Sequence, residues 1–432
     1  MSYKEYFNGK KIAIIGLGPH GEMIPDIKFL CKNKSSVTVF DMRTESRLKT
    51  IVPELSSTGI EKCILGKVDA EELLNFDLII ISPEISKKSI FLKKAIQAEI
   101  QVEFPDTLFF KLSPPVTLIG VMGQYGKNSV TMMIYEILKK SFSEYKDQGL
   151  FLINSETDSG VLSHLKKVKK DDVVLVRIQE NLLNYYHEMH ISPHVAVITS
   201  YVDFSILNFQ TYNNFIVAPD EVVDMIKKEK DINSKAKILR TRPGMVPAGW
   251  KIENKISHHK DNIALAMQTC ELFKVEQEEI REVIEDMPAQ KGSVEFIKKI
   301  DFIEYYNDAN SISPESTLSA LKSLSNNRNT ILILGGAYTG FDYTNMVKEI
   351  SKYSKMIILL PGSGSLGIRP MLESLKDTVF VQSFSLEESL IKAKENAVKG
   401  DRILFSPAFD AVGIDISRKE RGEKFVKIVR SL

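Results

Sequence analysis

The chain is poor in the residues that mark several functional classes. Three scattered cysteines, Cys31, Cys63 and Cys270, form no CxxC pair and no even framework. That excludes a disulfide scaffold and a cysteine-built zinc site, and it fits reduced thiols in a cytoplasmic protein. Net charge is nearly absent, since 57 Lys and Arg against 56 Asp and Glu leave +1. Nucleic-acid binding needs a basic field, so no nucleic-acid partner is expected. No uncharged apolar run is long enough to cross a bilayer, and the opening MSYKEYFNGKK has no apolar signal core, so neither membrane insertion nor export is expected. Histidine is scarce as well. His187, His190 and His194 lie close together, but the Ser192-Pro193 break between them keeps them off one helical face and argues against a metal site.

What is present is the composition of a globular protein, 43% hydrophobic and 26% charged. At 432 residues the chain is too long for one ordinary core and is expected to form about two to four domains. The stretch that organises it is VTLIGVMGQYGKNSVTMMI, Val116 to Ile134. An apolar strand runs into Gly120, Gly123 and Gly126, then Lys127, then an apolar helix. Strand, glycine-rich turn and helix with a lysine in its first turn is the arrangement that cradles nucleotide phosphates: backbone N–H groups and the helix dipole favour the anion, and the lysine adds a point charge. We read it as an ATP loop. It departs from the usual pattern at Val121, where glycine is expected, and at Asn128, where a hydroxyl residue is expected.

The segments on either side alternate strand and helix, as doubly wound parallel sheets do. Before the loop, the strand Lys11 to Ile15 ends in Gly16-Leu17-Gly18-Pro19-His20-Gly21, and the strand Val37 to Phe40 ends at Asp41. Glycines in the first turn let a phosphate approach the backbone, and an acid after the next strand can take ribose hydroxyls. A further strand, Asp77 to Ile81, precedes Ser82-Pro83-Glu84-Ile85, and Lys111 to Pro115 reads as a linker. After the loop, strands are expected at 150–153, 173–178, 195–199, 214–218 and 237–240. A third α/β segment has strands at 294–297, 302–306, 330–334, 356–360, 378–381 and 402–405. There Asn307-Asp308 ends a strand, and Gly335-Gly336 follows one, with Asp342 beyond, at the sheet edge where such folds bind ligands. Arg421-Gly422 is compatible with a simple surface pair.

In order and spacing these pieces resemble the Mur ligases, most closely their MurD-like, D-glutamate-adding branch. The resemblance rests on GLGPHG with the following FDMR, SPEI before the linker, GQYGKNSVT, HHKDN before an alanine-rich helix, YNDANS, LILGGAYTGFDY, and LFSPAFDAVGIDISRKERGEKF near the end. It implies three α/β domains: a Rossmann-like UDP-binding domain (1–112), a central P-loop ATPase-type domain (113–290) and a Rossmann-like C-terminal amino-acid-binding domain (291–432). It also implies a cytoplasmic, monomeric ligase of peptidoglycan precursor synthesis that uses ATP and Mg²⁺. Such an enzyme phosphorylates the carboxylate of a UDP-muramoyl precursor and lets an amino acid attack the acyl-phosphate.

By resemblance, Gly123, Gly126, Lys127, His258, Asn262, Asn307 and Asp308 meet ATP, while Asn128 and Ser129 stand beside Mg²⁺. Gly18, Pro19, His20, Asp41, Met42, Arg43 and Ser82 meet the UDP substrate. The chain also departs from the family. Arg177-Ile178-Gln179-Glu180 falls where the metal-binding glutamate is expected: if Arg177 takes its place the charge is reversed, and only a register shift to Glu180 supplies a ligand. Ser200-Tyr201-Val202-Asp203 lacks the expected histidine, and no lysine is placeable for carbamylation. Asn310, Thr339 and Ala411 occupy the amino-acid-contacting positions in place of lysine, lysine and serine, and Ser293 replaces an arginine. Two other readings therefore stand beside the first: a Mur-type ligase for a different amino acid, and a catalytically impaired relative that binds a nucleotide or UDP-sugar.

Overall fold

The computed structural model describes residues 2–432 apart from 19–20, 50, 146–147, 154–159, 253–259, 289–290, 326, 339, 376–378 and 412–417. Three sheets carry the fold. The first comprises β1 (Lys11–Ile15), β2 (Ser36–Asp41), β3 (Lys62–Leu65), β4 (Leu78–Ile81) and β5 (Gln101–Glu103), in the order β3-β2-β1-β4-β5, all parallel. The second comprises β6 (Thr117–Met122), β7 (Leu150–Ile153), β8 (Val173–Arg177), β9 (Val195–Ile198), β10 (Phe215–Pro219) and β11 (Lys237–Thr241), in the order β11-β10-β9-β6-β8-β7. The third comprises β12 (Glu295–Ile300), β13 (Ile303–Asn307), β14 (Thr330–Leu334), β15 (Ser354–Leu359), β16 (Val379–Gln382) and β17 (Arg402–Phe405), in the order β12-β13-β17-β14-β15-β16. Only β12 is antiparallel to its neighbour among the strand pairs described.

The central strands are near-continuous apolar runs because helices cover both faces of a parallel sheet. LIII of β4 and TILIL of β14 are buried at every position. The unanticipated strands, β3 and β5, are short, and β3 is solvent-facing at Lys62 and Cys63. Pairing against β2 and β4 defines them, not their own composition.

Residues 1–123 and 134–240 form one compact unit, and residues 124–133 and 241–432 form a second. The first two sheets share one core within the first unit, where Phe7, Ile14, Phe40, Phe104 and Phe109 pack in one cluster with Leu118, Val176, Tyr186 and Ile198. The third sheet has a core on each face. Among the described residues no helix is long and apolar enough to cross a membrane.

Candidate active site

The second sheet presents its carboxyl edge where β6 ends. Gly123 follows with φ of +140°, and a Cβ there would collide with Thr199 Oγ1 and stand 2.9 Å from Ser200 N. Thr199 N donates to Met122 O at 2.8 Å, so the end of β9 clamps the start of the loop. Only glycine fits. Gly123→Ala is expected to cost roughly 3 kcal/mol or more of stability in the first unit, read as a fall in thermal midpoint. A midpoint unchanged from wild type would show that the clamp is not tight.

The helix Lys127–Tyr145 then begins, with Val130 N donating to Gly126 O at 3.0 Å. Lys127, Asn128 and Ser129 all lie in its first turn and are half-buried, and Lys127 Nζ reaches Gln124 O at 3.5 Å. The sequence-predicted strand, glycine turn and helix with an early lysine are all in place. Asn262 is half-buried in the first turn of the helix Lys260–Glu271, while His258 lies outside the described residues. His194 is engaged structurally, its Nδ1 accepting from Leu118 N at 2.9 Å.

At the first sheet, Asp41 organises the turn after β1. Its carboxylate accepts from Leu17 N at 3.0 Å and from Arg43 through N, Nε and Nη2 at 2.9, 3.0 and 2.7 Å, and Arg43 Nη2 also donates to Gly18 O at 2.8 Å. Burial works to raise the Asp41 pKa, but the bonds from Arg43 and Leu17 outweigh it and hold the group below the ordinary carboxylate range. Gly18, Asp41, Arg43 and Ser82 thus gather at the carboxyl ends of β1, β2 and β4. Met42 projects into solvent, and Pro19 and His20 lie outside the described residues.

Beside this turn opens a pocket lined by Glu22, Asp26, Ser82, Glu84, Asp106 and Gly160, among others. Sequence reading missed its two buried acids. Asp26 accepts from Leu162 N at 2.7 Å, and burial pushes its pKa up to about 7. Asp106 lies 3.5 Å from Tyr186 Oη, and burial pushes it up to about 6 against the opposing Tyr186 hydrogen bond and Arg177 charge. The available signal was an acid one turn or less from Pro25 or Pro105 within an otherwise apolar helix start.

At the third sheet, Asn307 and Asp308 end β13 and are buried. Asp308 accepts from Val294 N at 3.0 Å and from Ser406 Oγ at 2.6 Å, and burial raises it to about 7. Asn307 Nδ2 donates to Glu295 at 3.1 Å. Asn310 is exposed and donates to Lys291 O, whereas Ala411 is buried; Thr339 lies outside the described residues. Arg421 is no surface residue: it is 3% exposed, donates to Gly335 O at 3.3 Å and Phe409 O at 2.9 Å, and ties the Gly-Gly turn to the loop after β17. Residue type alone gave no sign of this, because arginine is seldom fully buried.

A resident Mg²⁺ needs hard oxygen donors, carboxylates foremost. The strand beside β6 instead ends in Arg177, level with Val121, and Glu180 is exposed in the turn Glu180–Leu182 beyond it. Asn128 and Ser129 offer neutral oxygens only. Among the described residues no group of three or more His, Cys, Asp or Glu side chains is placed to hold a metal. Among the described residues the donor set does not fit a protein-held divalent cation.

Comparison with known proteins follows the same lines. Residues 10–103 match the family described as Mur ligase MurD-like, N-terminal domain. Over its whole length the chain is similar to proteins named UDP-N-acetylmuramoylalanine--D-glutamate ligase. It is 23% identical to that of Roseiflexus sp. (strain RS-1), covering 98% of this chain and 99% of the relative. It is 26% identical to that of Clostridium tetani, covering 100% and 98%. Among solved structures it shares its fold with the UDP-N-acetylmuramate-alanine ligase MurC of Thermotoga maritima (TM-score 0.57, 15% identity, covering 98% of this chain and 99% of that one). It shares it also with the MurF ligase of the same organism solved with ADP (TM-score 0.54, 13% identity, covering 98% and 96%). Residues 10–103 thus match the MurD-like N-terminal family, and the whole chain is similar, at 23–26% identity, to proteins named UDP-N-acetylmuramoylalanine--D-glutamate ligase.

Proposed function

We propose that this chain is an ATP-dependent amide ligase of peptidoglycan precursor synthesis, which adds an amino acid, D-glutamate by its relatives, to UDP-N-acetylmuramoyl-L-alanine. The observation that carries the reading is the Gly123–Lys127 turn: a strand end, a clamped glycine and a lysine in the first turn of a long helix. The division of labour we infer gives residues 1–112 to the UDP substrate, 113–290 to ATP and 291–432 to the amino acid, in a cytoplasmic monomer acting on small molecules.

In this account the acceptor carboxylate attacks the γ-phosphorus, ADP leaves, and the amine of the amino acid then attacks the acyl carbon and expels phosphate. The protein's task is to hold several anionic oxygens together without repulsion. Loop amides and the helix dipole take the phosphates, and Lys127 neutralises the charge passing to ADP. No step is assigned to Mg²⁺, because the donors among the described residues do not hold it. Gly18 and Arg43 would shape the seat of the uridine end, and Asn262, Asn307 and Asp308 would contact ATP.

The amino acid is the open specificity. Asn310 and Ala411 offer no cation to a side-chain carboxylate, which favours a smaller or neutral amino acid as the second reading. Phosphate release with ATP and UDP-N-acetylmuramoyl-L-alanine, across D- and L-amino acids, tests both. Release that needs the acceptor and one amino acid supports ligation and names the substrate. Absence of release by folded protein that still binds the UDP precursor supports a binding protein instead.

A further inference from the structure

We propose that the start of the helix Ser363–Glu373 is an anion seat that takes the α-carboxylate of the incoming amino acid. The inference rests on the ligase reading above and deepens it. Topology opens the place. The helix after β15 packs Ile368 and Leu372 into the core on one face of the third sheet, whereas Leu386 and Leu390 of the helix Leu386–Asn396, after β16, enter the core on the other. Connections that leave neighbouring strands towards opposite faces part at the carboxyl edge, which is where open α/β sheets bind ligands. The turn Pro361-Gly362-Ser363 stands there. Gly362 has φ of +150°, a Cβ on it would collide with Gly336 O, and Gly364 N donates to Gly336 O at 3.0 Å. The turns after β14 and β15 are thus locked backbone to backbone.

The helix start lacks acceptors. Its N-cap, Gly362, has no side chain to offer, and Ser363 Oγ instead accepts from Tyr338 N at 3.0 Å. Among the described residues no acceptor meets Ser363 N or Ser365 N. Ser365 supplies the second, independent observation. It is 6% exposed, and its Oγ is buried with no hydrogen-bond partner. Side chains on a helix lean towards its N-terminus, and this hydroxyl lies against Gly335, in the crevice between the ends of β14 and β15. A buried hydroxyl left unpaired costs stability in the free protein, a cost that a bound acceptor removes. Arg421, buried behind the same turn, donates to Gly335 O and adds a fixed positive charge, while Asp410 on the loop after β17 turns its carboxylate to Ala411 N. Two amides, one hydroxyl and the helix dipole suit the two oxygens of a carboxylate. Residues 360–368 carry no lysine or arginine, unlike the Gly123–Lys127 turn, so the charge balance favours a single negative group over a polyphosphate.

The test is amide-resolved NMR of the full-length protein, following Ser363, Gly364 and Ser365. It is titrated with D-glutamate and the other amino acids of the phosphate-release panel, with the α-carboxamide of each, and with inorganic phosphate. ADP and UDP-N-acetylmuramoyl-L-alanine are present, so that no bond forms. The Ser363 and Ser365 amides are expected to shift saturably with at least one amino acid and not with its carboxamide. Ser365→Ala is expected to weaken that binding about tenfold, through loss of a hydrogen bond to a charged group. It is also expected to melt no lower than wild type, because it removes an unpaired buried hydroxyl. Ser365→Asp, which places a carboxylate in the seat, is expected to abolish the shift. Wild-type amides that move with no amino acid, or equally with the carboxamide, overturn the proposal and need no variant to fold. If phosphate release still depends on an amino acid in that case, the ligase reading survives. Amides that move with phosphate alone overturn the assignment to the amino acid, and unchanged affinity in Ser365→Ala overturns the seat. Saturable shifts with an amino acid in a protein that releases no phosphate support the seat and remove the ligase reading.

Discussion

Lys127→Ala lowers ATP affinity by about a hundredfold and leaves the protein folded, because the side chain gives up a charge-assisted contact to phosphate and almost no packing. Lys127 is half-buried in the first turn of its helix, and its ammonium reaches the Gln124 carbonyl at only 3.5 Å. The apolar residues that fix the helix, Val130, Met133, Ile134 and Ile137, lie further along and are untouched. The thermal midpoint is therefore expected within about 2 °C of wild type. Titration calorimetry together with a melt separates the two effects. Unchanged ATP affinity in the folded variant would remove the assignment of this turn to phosphate.

The second large effect is on stability against pH. Asp26 ionises near 7 in the fold, against an unfolded value of about 3.9. Its folded pKa is raised, so the native state holds the proton more tightly. The stabilisation is fully present below about pH 4 and is lost as pH rises towards 7, with a ceiling of roughly 4 kcal/mol for the shift. Asp106, raised to about 6, acts in the same direction over a narrower window, and its charge adds to the shift of Asp26. Asp26→Asn keeps an acceptor for Leu162 N and removes the ionisation. The variant is expected to lose stability more slowly than wild type between pH 5 and 8 and to melt higher than wild type at pH 8, by several degrees. A variant with the wild-type pH profile would mean that Asp26 is already neutral, or already well solvated, across this range.

Much of the fold was legible because parallel strands buried on both faces are written as continuous β-branched runs. KIAII, LIII and TILIL announced β1, β4 and β14, and the glycine turn after Met122 announced the phosphate loop. The sequence was silent where tertiary context decides. β3 and β5 exist because β2 and β4 have edges to pair with. Asp41 could be placed at a strand end from its spacing, yet its dense bonding to Leu17 and Arg43 depends on how two turns meet. Arg421 looked like surface and is a buried strut, since its carbonyl partners Gly335 and Phe409 lie 86 and 12 residues away. Asp26 and Asp106 escaped notice for the same reason: an acid is read as solvent-facing until another element covers it. The position of Arg177, in contrast, follows from the strand register, which sets it level with Val121 at the end of β8.

The central claim is ligation, and its most direct measurement is the mass of the product. Purified protein is incubated with ATP and UDP-N-acetylmuramoyl-L-alanine and each of a panel of amino acids, and the nucleotide-sugar is analysed by mass spectrometry. The account predicts one amino acid whose residue mass, the amino acid less one water, appears on the acceptor, with one ADP and one phosphate per bond formed and no product from Lys127→Ala. An acceptor of unchanged mass with every amino acid, in the presence of folded protein and intact ATP, would contradict it.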